Sequence, residues 1–267
     1  MTFIDNFLDW ANTGLTDNEQ AQEYLRGRGI SSDQWTRHKI GYVSGDFNVE
    51  SDEDPGHNNN CLDRDTKHLW CDSCRYKSWS SKWEQLEEEG RKSQIVGRRL
   101  HGCVVFPLTS YSGTTVGFQT RSITEKVYDT FAIRRRPEGY FFGTASAMES
   151  IWATKEIWIV EGPGDALIID RLVSPNVVAL TTSAVNKLQL KFLRRFVHTI
   201  NLCLDLDKAG REGVSSFIKY NSENFRIRNV KYPRIDHDKD KDVGDFWKKV
   251  GDQRVSQYFQ KSIISNF

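Results

Sequence analysis

The sequence predicts an α/β protein: a parallel sheet flanked by helices, preceded by a smaller mixed α+β region. Two observations carry this. From Ile157 onward, short apolar runs alternate with helical patterns, at Ile157–Val160, Val177–Leu180, Ile200–Leu204 and Ile227–Tyr232. Strand–helix alternation at these lengths favours right-handed crossovers and a parallel sheet. Second, two of the apolar runs end abruptly in acids and glycine, Glu161-Gly-Pro-Gly-Asp165 and Leu204-Asp-Leu-Asp-Lys-Ala-Gly210. In a parallel sheet the strand carboxyl ends share one edge, where ligands bind, so Glu161, Asp205 and Asp207 are expected to converge. Two carboxylates ~4 Å apart repel by roughly 4 kcal/mol at an effective dielectric of 20, a cost that a divalent cation removes. The pattern points to a metal site for phosphoryl chemistry.

The elements follow in order. Residues 1–43 read as short helices with a turn at Arg26–Gly29. Ser44–Asn60 is too polar for core, 61–79 mixes cysteines with tryptophans, and Ser80–Ser93 reads as an exposed charged helix or linker. Cys103–Leu108, a turn at Gly113, and Thr115–Arg121 form a hairpin pattern, with Tyr128–Ile133 a further strand. Helices are expected at Asp165–Leu172, Lys187–His198 and Ala209–Tyr220. In the second, Leu188, Phe192, Leu193, Phe196 and Val197 make one apolar stripe. The expected domains are 1–150 (N-terminal, with a zinc-binding insertion at 55–80), 151–250 (catalytic) and 251–267 (a tail).

Composition sets the bounds. The chain has 267 residues, 38% hydrophobic and 27% charged, which suits a globular fold and excludes a disordered chain. A formal charge of +1 gives weak overall attraction to nucleic acid. Polyanion contact must come from local clusters such as Arg134-Arg135-Arg136 or Lys191/Arg194/Arg195. No run approaches a bilayer span and no signal peptide is visible, so no membrane association and a cytoplasmic location are expected. Five cysteines in such a chain argue against a disulfide framework. Cys103 and Cys203 sit in apolar strands and read as buried small hydrophobes.

His57-x3-Cys61-x9-Cys71-x2-Cys74 offers ligands for tetrahedral Zn2+, with His68 an alternative to His57. The competing reading is three reduced cysteines in a loop without metal. Trp70, Tyr76, Trp79 and Trp83 nearby would cover such a metal or stack on single-stranded bases.

Glu161–Asp165, Leu204–Arg211 and Asp238–Asp245 together resemble the three-part signature of a TOPRIM domain. More narrowly, the chain resembles the RNA-polymerase domain of DnaG-type bacterial and bacteriophage primases. Tyr24-Leu-Arg-Gly-Arg-Gly-Ile30 with Ile40-Gly-Tyr42 resembles the start of that catalytic core. Val105-Phe-Pro-Leu108 with Val116-Gly-Phe-Gln-Thr-Arg121 resembles its hairpin, and Tyr140-Phe-Phe-Gly143 the segment before the TOPRIM strands. Leu180-Thr-Thr-Ser-Ala184 falls at a glycine-rich loop, with threonines replacing the glycine. The zinc module also departs from the pattern, lying inside the core rather than ahead of it.

The resemblance implies a DNA primase, a nucleotidyl transferase making short primers on a single-stranded DNA template from nucleoside triphosphates. It implies Mg2+ or Mn2+ held by Glu161, Asp205, Asp207 and Asp242, with Asp245 a further acid and Asp165 behind them. It implies Arg99 and Arg121 as phosphate-binding groups and places Arg134 in a basic segment; Lys241, beside Asp242, is a further candidate for a nucleotide phosphate. Two carboxylates two apart in extended chain face one side, so Asp205 and Asp207 are expected to address one cation. The bland reading is that these acids cap helices, Asp165 above all. No phosphate-binding Gly-x4-Gly-Lys-Ser/Thr loop is present in the chain, and the resemblance implies a separate replicative helicase as partner. The runner-up activity is a TOPRIM metal-dependent nuclease, which uses the same carboxylates.

Overall fold

The computed structural model describes residues 3–45, 100–132, 140–181, 184–236 and 240–264. His57, Cys61, His68, Cys71, Cys74, Arg99 and Arg134 lie outside them. The chain packs as two units, one from residues 1–24, 39–107 and 115–136, the other from 25–38, 108–114 and 137–267. The units therefore interleave along the chain and do not follow the 1–150/151–250 division expected from sequence.

In the first unit, helix α1 (Phe3–Thr16) buries Phe7, Leu8, Ala11 and Leu15 on one stripe. Helix α2 (Glu19–Arg26) follows and crosses into the second unit. Strands β1 (Gly41–Tyr42), β2 (Cys103–Ser110), β3 (Thr115–Ser122) and β4 (Tyr128–Ala132) pair as neighbours, with β1 antiparallel to β2 and β3 antiparallel to β4. Gly41 is required where β1 crosses α1, because a Cβ there would stand 2.6 Å from the Cβ of Ala11. Cys103 is buried, as expected of a small hydrophobe.

The second unit contains α3 (Ser32–Arg37), the end of β2, β5 (Tyr140–Phe142), α4 (Thr144–Thr154), β6 (Glu156–Val160), α5 (Pro163–Leu172), β7 (Val177–Ala179), α6 (Lys187–Phe196), β8 (Thr199–Leu202), α7 (Lys208–Asn221), β9 (Arg226–Asn229) and α8 (Val243–Ile264). The order β7-β6-β8-β9 is parallel throughout, with β5 antiparallel beside β7 and pairing the end of β2. The alternation read from sequence reproduces these strands to within a few residues. The runs at β6, β7 and β8 are buried on both faces, as inner parallel strands require, while edge strand β9 is partly exposed. Ile157 and Ile159 face a core shared with α4, α6 and α7, including Phe192, Leu193, Val214 and Phe217. Trp158, one residue out of phase, packs edge-on against Phe259 of α8 at 5.8 Å.

Helix starts are written locally. Pro163 begins α5. Asn186 caps α6, accepting from Leu188 and Gln189 N–H at 2.9 Å, while Gln189 reaches back to the Asn186 N–H at 3.0 Å. Helix α8 breaks at Gly251, whose φ is +74°. Its second half is no loose tail: Val255 and Phe259 are fully buried.

Candidate active site

Chain order creates the site. From β6 the chain moves to β7 on one side, then returns to β8 on the other, so β6 and β8 are neighbours whose onward paths diverge. Such a switch point leaves a crevice outside the strand carboxyl ends. Glu161 leaves β6 there and Asp205 leaves β8. The register Ile159↔Leu202 keeps the two exits side by side, and the Asp205 N–H donates to the Glu161 carboxylate.

Each acid is held differently. Asp207 sits at the start of α7 and accepts from the Gly210 N–H at 3.0 Å, so it is an N-cap as well as a member of the cluster. Asp242 likewise accepts from Asp245 N–H at 2.7 Å at the start of α8. Asp165 is not the cap of α5, a position filled by Gly162. It lies buried in the first turn and accepts from Gly244 N–H at 2.9 Å, tying α5 to α8. The loop between β8 and α7 is closed by Leu206, whose N–H donates to Lys241 O at 2.7 Å. Arg211 donates to Leu206 O at 2.6 Å, and Arg234 donates to the same oxygen. Gly210 is obligatory, since a Cβ would lie 2.1 Å from Asp205 O.

Gathering these charges shifts their protonation. Burial first, then the charges of Glu161, Asp242, Asp207 and Asp245, push the Asp205 carboxyl up to about 8. Burial and Asp207 raise Glu161 against the opposing Asp205 N–H. Burial, with Asp242 and Asp205, raises Asp165. Burial also raises Asp242, but Arg28 and Lys248 oppose it. The charges of Asp207 and Asp242 bear on Glu161, and those of Glu161, Asp207 and Asp242 bear on Asp205.

Among the described residues, no three Asp, Glu, His or Cys side chains form a ready-made cage around one cation position. The donor set nevertheless fits a hard divalent cation. All donors are carboxylate oxygens, the chemistry Mg2+ or Mn2+ prefers, and the buried Oε2 of Glu161 has no hydrogen-bond partner. A buried orphan carboxylate oxygen beside other acids is a position that a cation satisfies.

Some participants escaped the sequence reading. Arg28, in the Arg26–Gly29 turn, bears on Asp242 because Gly29 adopts φ +78° and seats the turn against Trp247, 2.8 Å from its would-be Cβ. The glycine itself was the signal. Tyr232 is kept protonated by burial first and donates to Lys241 O at 2.9 Å. Arg211 and Arg234, with Asn229, Lys231 and the apolar Val214 and Val230, line a cavity of about 440 Å3 next to Asp205. Of the expected phosphate binders, Lys241 is exposed. Arg121 lies in the first unit, stacked over Tyr128 at 4.5 Å. Thr181, at the loop where glycine was missing, takes the left-handed φ of +60°.

Two family models match the chain: "DNA primase catalytic core, N-terminal domain" over residues 10–130 and "Toprim-like" over 158–246. The DNA primase of Clostridium acetobutylicum is 24% identical over 261 residues, covering 93% of this chain. The chain spans only 38% of that relative's length. Among solved structures, a DNA primase domain from Pseudomonas aeruginosa aligns at a TM-score of 0.70 and 20% identity, covering 97% of this chain and 76% of that one. A DnaG primase catalytic domain bound to single-stranded DNA aligns at 0.63 and 18%, covering 96% and 76%.

Proposed function

Because the chain belongs to the DnaG-type primases, with their TOPRIM region, we propose that it is a nucleotidyl transferase building short RNA primers on single-stranded DNA. The observation that supports this is the gathering of Glu161, Asp205, Asp207 and Asp242 about the β6/β8 switch point, where burial first and neighbouring charge second raise the carboxyls of Glu161, Asp205 and Asp242. Mg2+ or Mn2+ held by these four would lower the basicity of an attacking 3′-hydroxyl and neutralise the triphosphate and leaving pyrophosphate.

The chain's own residues do the rest. Gly210 and the Leu206 bonds hold Asp205 and Asp207 in place. Arg28 and Lys248 limit the excess charge at Asp242. The cavity beside Asp205 offers an apolar floor for a base or sugar and guanidinium groups for phosphate. Arg99, Arg121, Arg134 and Lys241 are proposed to hold template and nucleotide phosphates. Zn2+ on Cys61, Cys71, Cys74 and His57 or His68 would order the insertion. A separate replicative helicase is the proposed partner and the cytoplasm the proposed compartment. Among the described residues no helix is long and apolar enough to cross a membrane.

Incubation with single-stranded DNA of varied sequence, Mg2+ or Mn2+ and labelled nucleotides tests the reading. Template-dependent short products that vanish in Asp207→Asn support it. Cleavage of a labelled oligonucleotide without nucleotides, with no synthesis in their presence, would replace it by the nuclease.

A further inference from the structure

We infer that the outer face of α6, continued by Trp152 and Tyr111, is a track for a single strand of nucleic acid. Helix α6 runs Lys187 to Phe196 and contains no acid. Steps of 100° place Lys187, Lys191, Arg194 and Arg195 within about 100° of one another, a cationic stripe about 12 Å long. The opposite face is spent on the core, where Gln189, Phe192 and Leu193 are buried. All four cations are exposed. None pairs with a carboxylate among the described residues. Four like charges in ten residues cost self-repulsion, and a polyanion offsets that cost.

A second feature separates this face from an ordinary solvated helix. Trp152 on α4 is 54% exposed, although a ring of that size normally finds cover. It contacts Phe196 at 6.5 Å between centroids. Phe196 in turn meets Tyr111 at 5.2 Å, and the Arg195 guanidinium lies over both rings, at 5.1 and 5.5 Å. Glu149, the one acid of α4, engages none of the four cations. Phosphate-tracking cations near a half-exposed aromatic ring suit an unpaired strand, whose bases are free to stack on side chains.

Direction adds to the case. Helix α6 starts just beyond the carboxyl end of β7, the edge that bears the acids, and ends before β8 at the opposite edge. Trp152 closes α4 immediately before β6, at that same far edge. The stripe thus leads away from the catalytic rim, where template enters or product leaves. This goes beyond the proposed chemistry, which needs none of these residues.

Fluorescence anisotropy with labelled single-stranded DNA and RNA of one sequence tests it, on wild type, Lys187→Ala/Lys191→Ala/Arg194→Ala, and Trp152→Ala. Each lost phosphate contact removes about 0.7 from the slope of log K against log salt, so the triple variant should be shallower by about 2. It should also bind at least about ten-fold more weakly at low salt. Trp152→Ala should weaken binding about five-fold or more with the slope unchanged. A larger loss on DNA identifies the template, and on RNA the product. Unchanged affinity and slope for both strands overturn the inference. So does a triple variant that loses only polyglutamate binding, which would assign the face to an acidic protein. Synthesis on a template of a few nucleotides should survive in all variants. Because the binding readout needs no catalysis, failure of the track and failure of the primase reading are separate results.

Discussion

Gly210→Ala sets two effects of opposite sign against each other. Inside a helix, alanine is favoured over glycine by about 1 kcal/mol, so propensity alone predicts a more stable protein. The contacts predict the reverse. The new Cβ would lie 2.1 Å from Asp205 O, 2.8 Å from its carbonyl carbon and 3.1 Å from its N. These are backbone atoms, so no side chain can rotate away. Overpacking costs about 1–3 kcal/mol, and a contact this deep belongs at the upper end. The net is about 2 kcal/mol of destabilisation. For a protein of this size that lowers Tm by about 4–8 °C. The displaced loop carries Asp205 and Asp207, so primer synthesis should fall about a hundred-fold, as a misplacement near 1 Å allows. Gly164 is the control: it lies in the first turn of α5 with nothing within 4 Å of a built Cβ. Thermal unfolding of Gly164→Ala should show no loss. Equal losses in the two variants, or none at Gly210, refute the reasoning.

Other outcomes follow from the same geometry. Asp207→Ala removes both a charge and the α7 cap and should lower Tm through a loss of about 1 kcal/mol, whereas Asp207→Asn keeps the cap, holds Tm and still abolishes synthesis. Saturating Mn2+ or Mg2+ should raise the wild-type Tm by about 5 °C or more, read by calorimetry, and leave Asp205→Asn/Asp207→Asn unmoved. Asp170 and Asp205 should give opposite pH profiles of Tm in a chelator. Burial would raise Asp170, but hydrogen bonds from His38 and Gln34 and the charges of His38 and Arg37 hold it below the ordinary 3.8. Its stabilisation is therefore present above that value and lost as pH falls; Asp170→Asn should cost roughly 1–3 kcal/mol at neutral pH, with the gap closing in acid. Asp205, raised from 3.8 to about 8, makes the metal-free protein less stable as pH climbs through that window, and Asp205→Asn should flatten the limb.

The parallel sheet was legible because its three inner strands are buried and apolar on both faces, and the edge strand β9 follows the last helical pattern at the same spacing. The acids were legible because carboxylates and glycine end two of those runs abruptly. What could not be read was interleaving. Leu25–His38 pack with residues more than a hundred positions downstream, and Leu108–Thr114 with residues from Phe142 to Phe196, while periodicity reports only local geometry. Arg28 was missed for that reason, as was the Gln34–Asp170 bond at 2.9 Å. That Asp207 caps α7 while standing among the other acids was not separable in sequence, since capping and the proposed cation binding ask for the same residue type at the same place. Residues 251–267 looked like a tail because the break at Gly251 interrupts the helical pattern while Val255 and Phe259 still reach the core.

Asp170 carries the practical consequence of the α3 contacts. Its carboxylate, on α5, is satisfied by Gln34, Arg37 and His38. An excised fragment beginning near residue 140 would hold every acid of the centre, yet would expose a charge designed for shelter. Anyone seeking a minimal catalytic piece should keep the short helix from the far amino-terminal stretch, supplied in cis or as a complementing peptide.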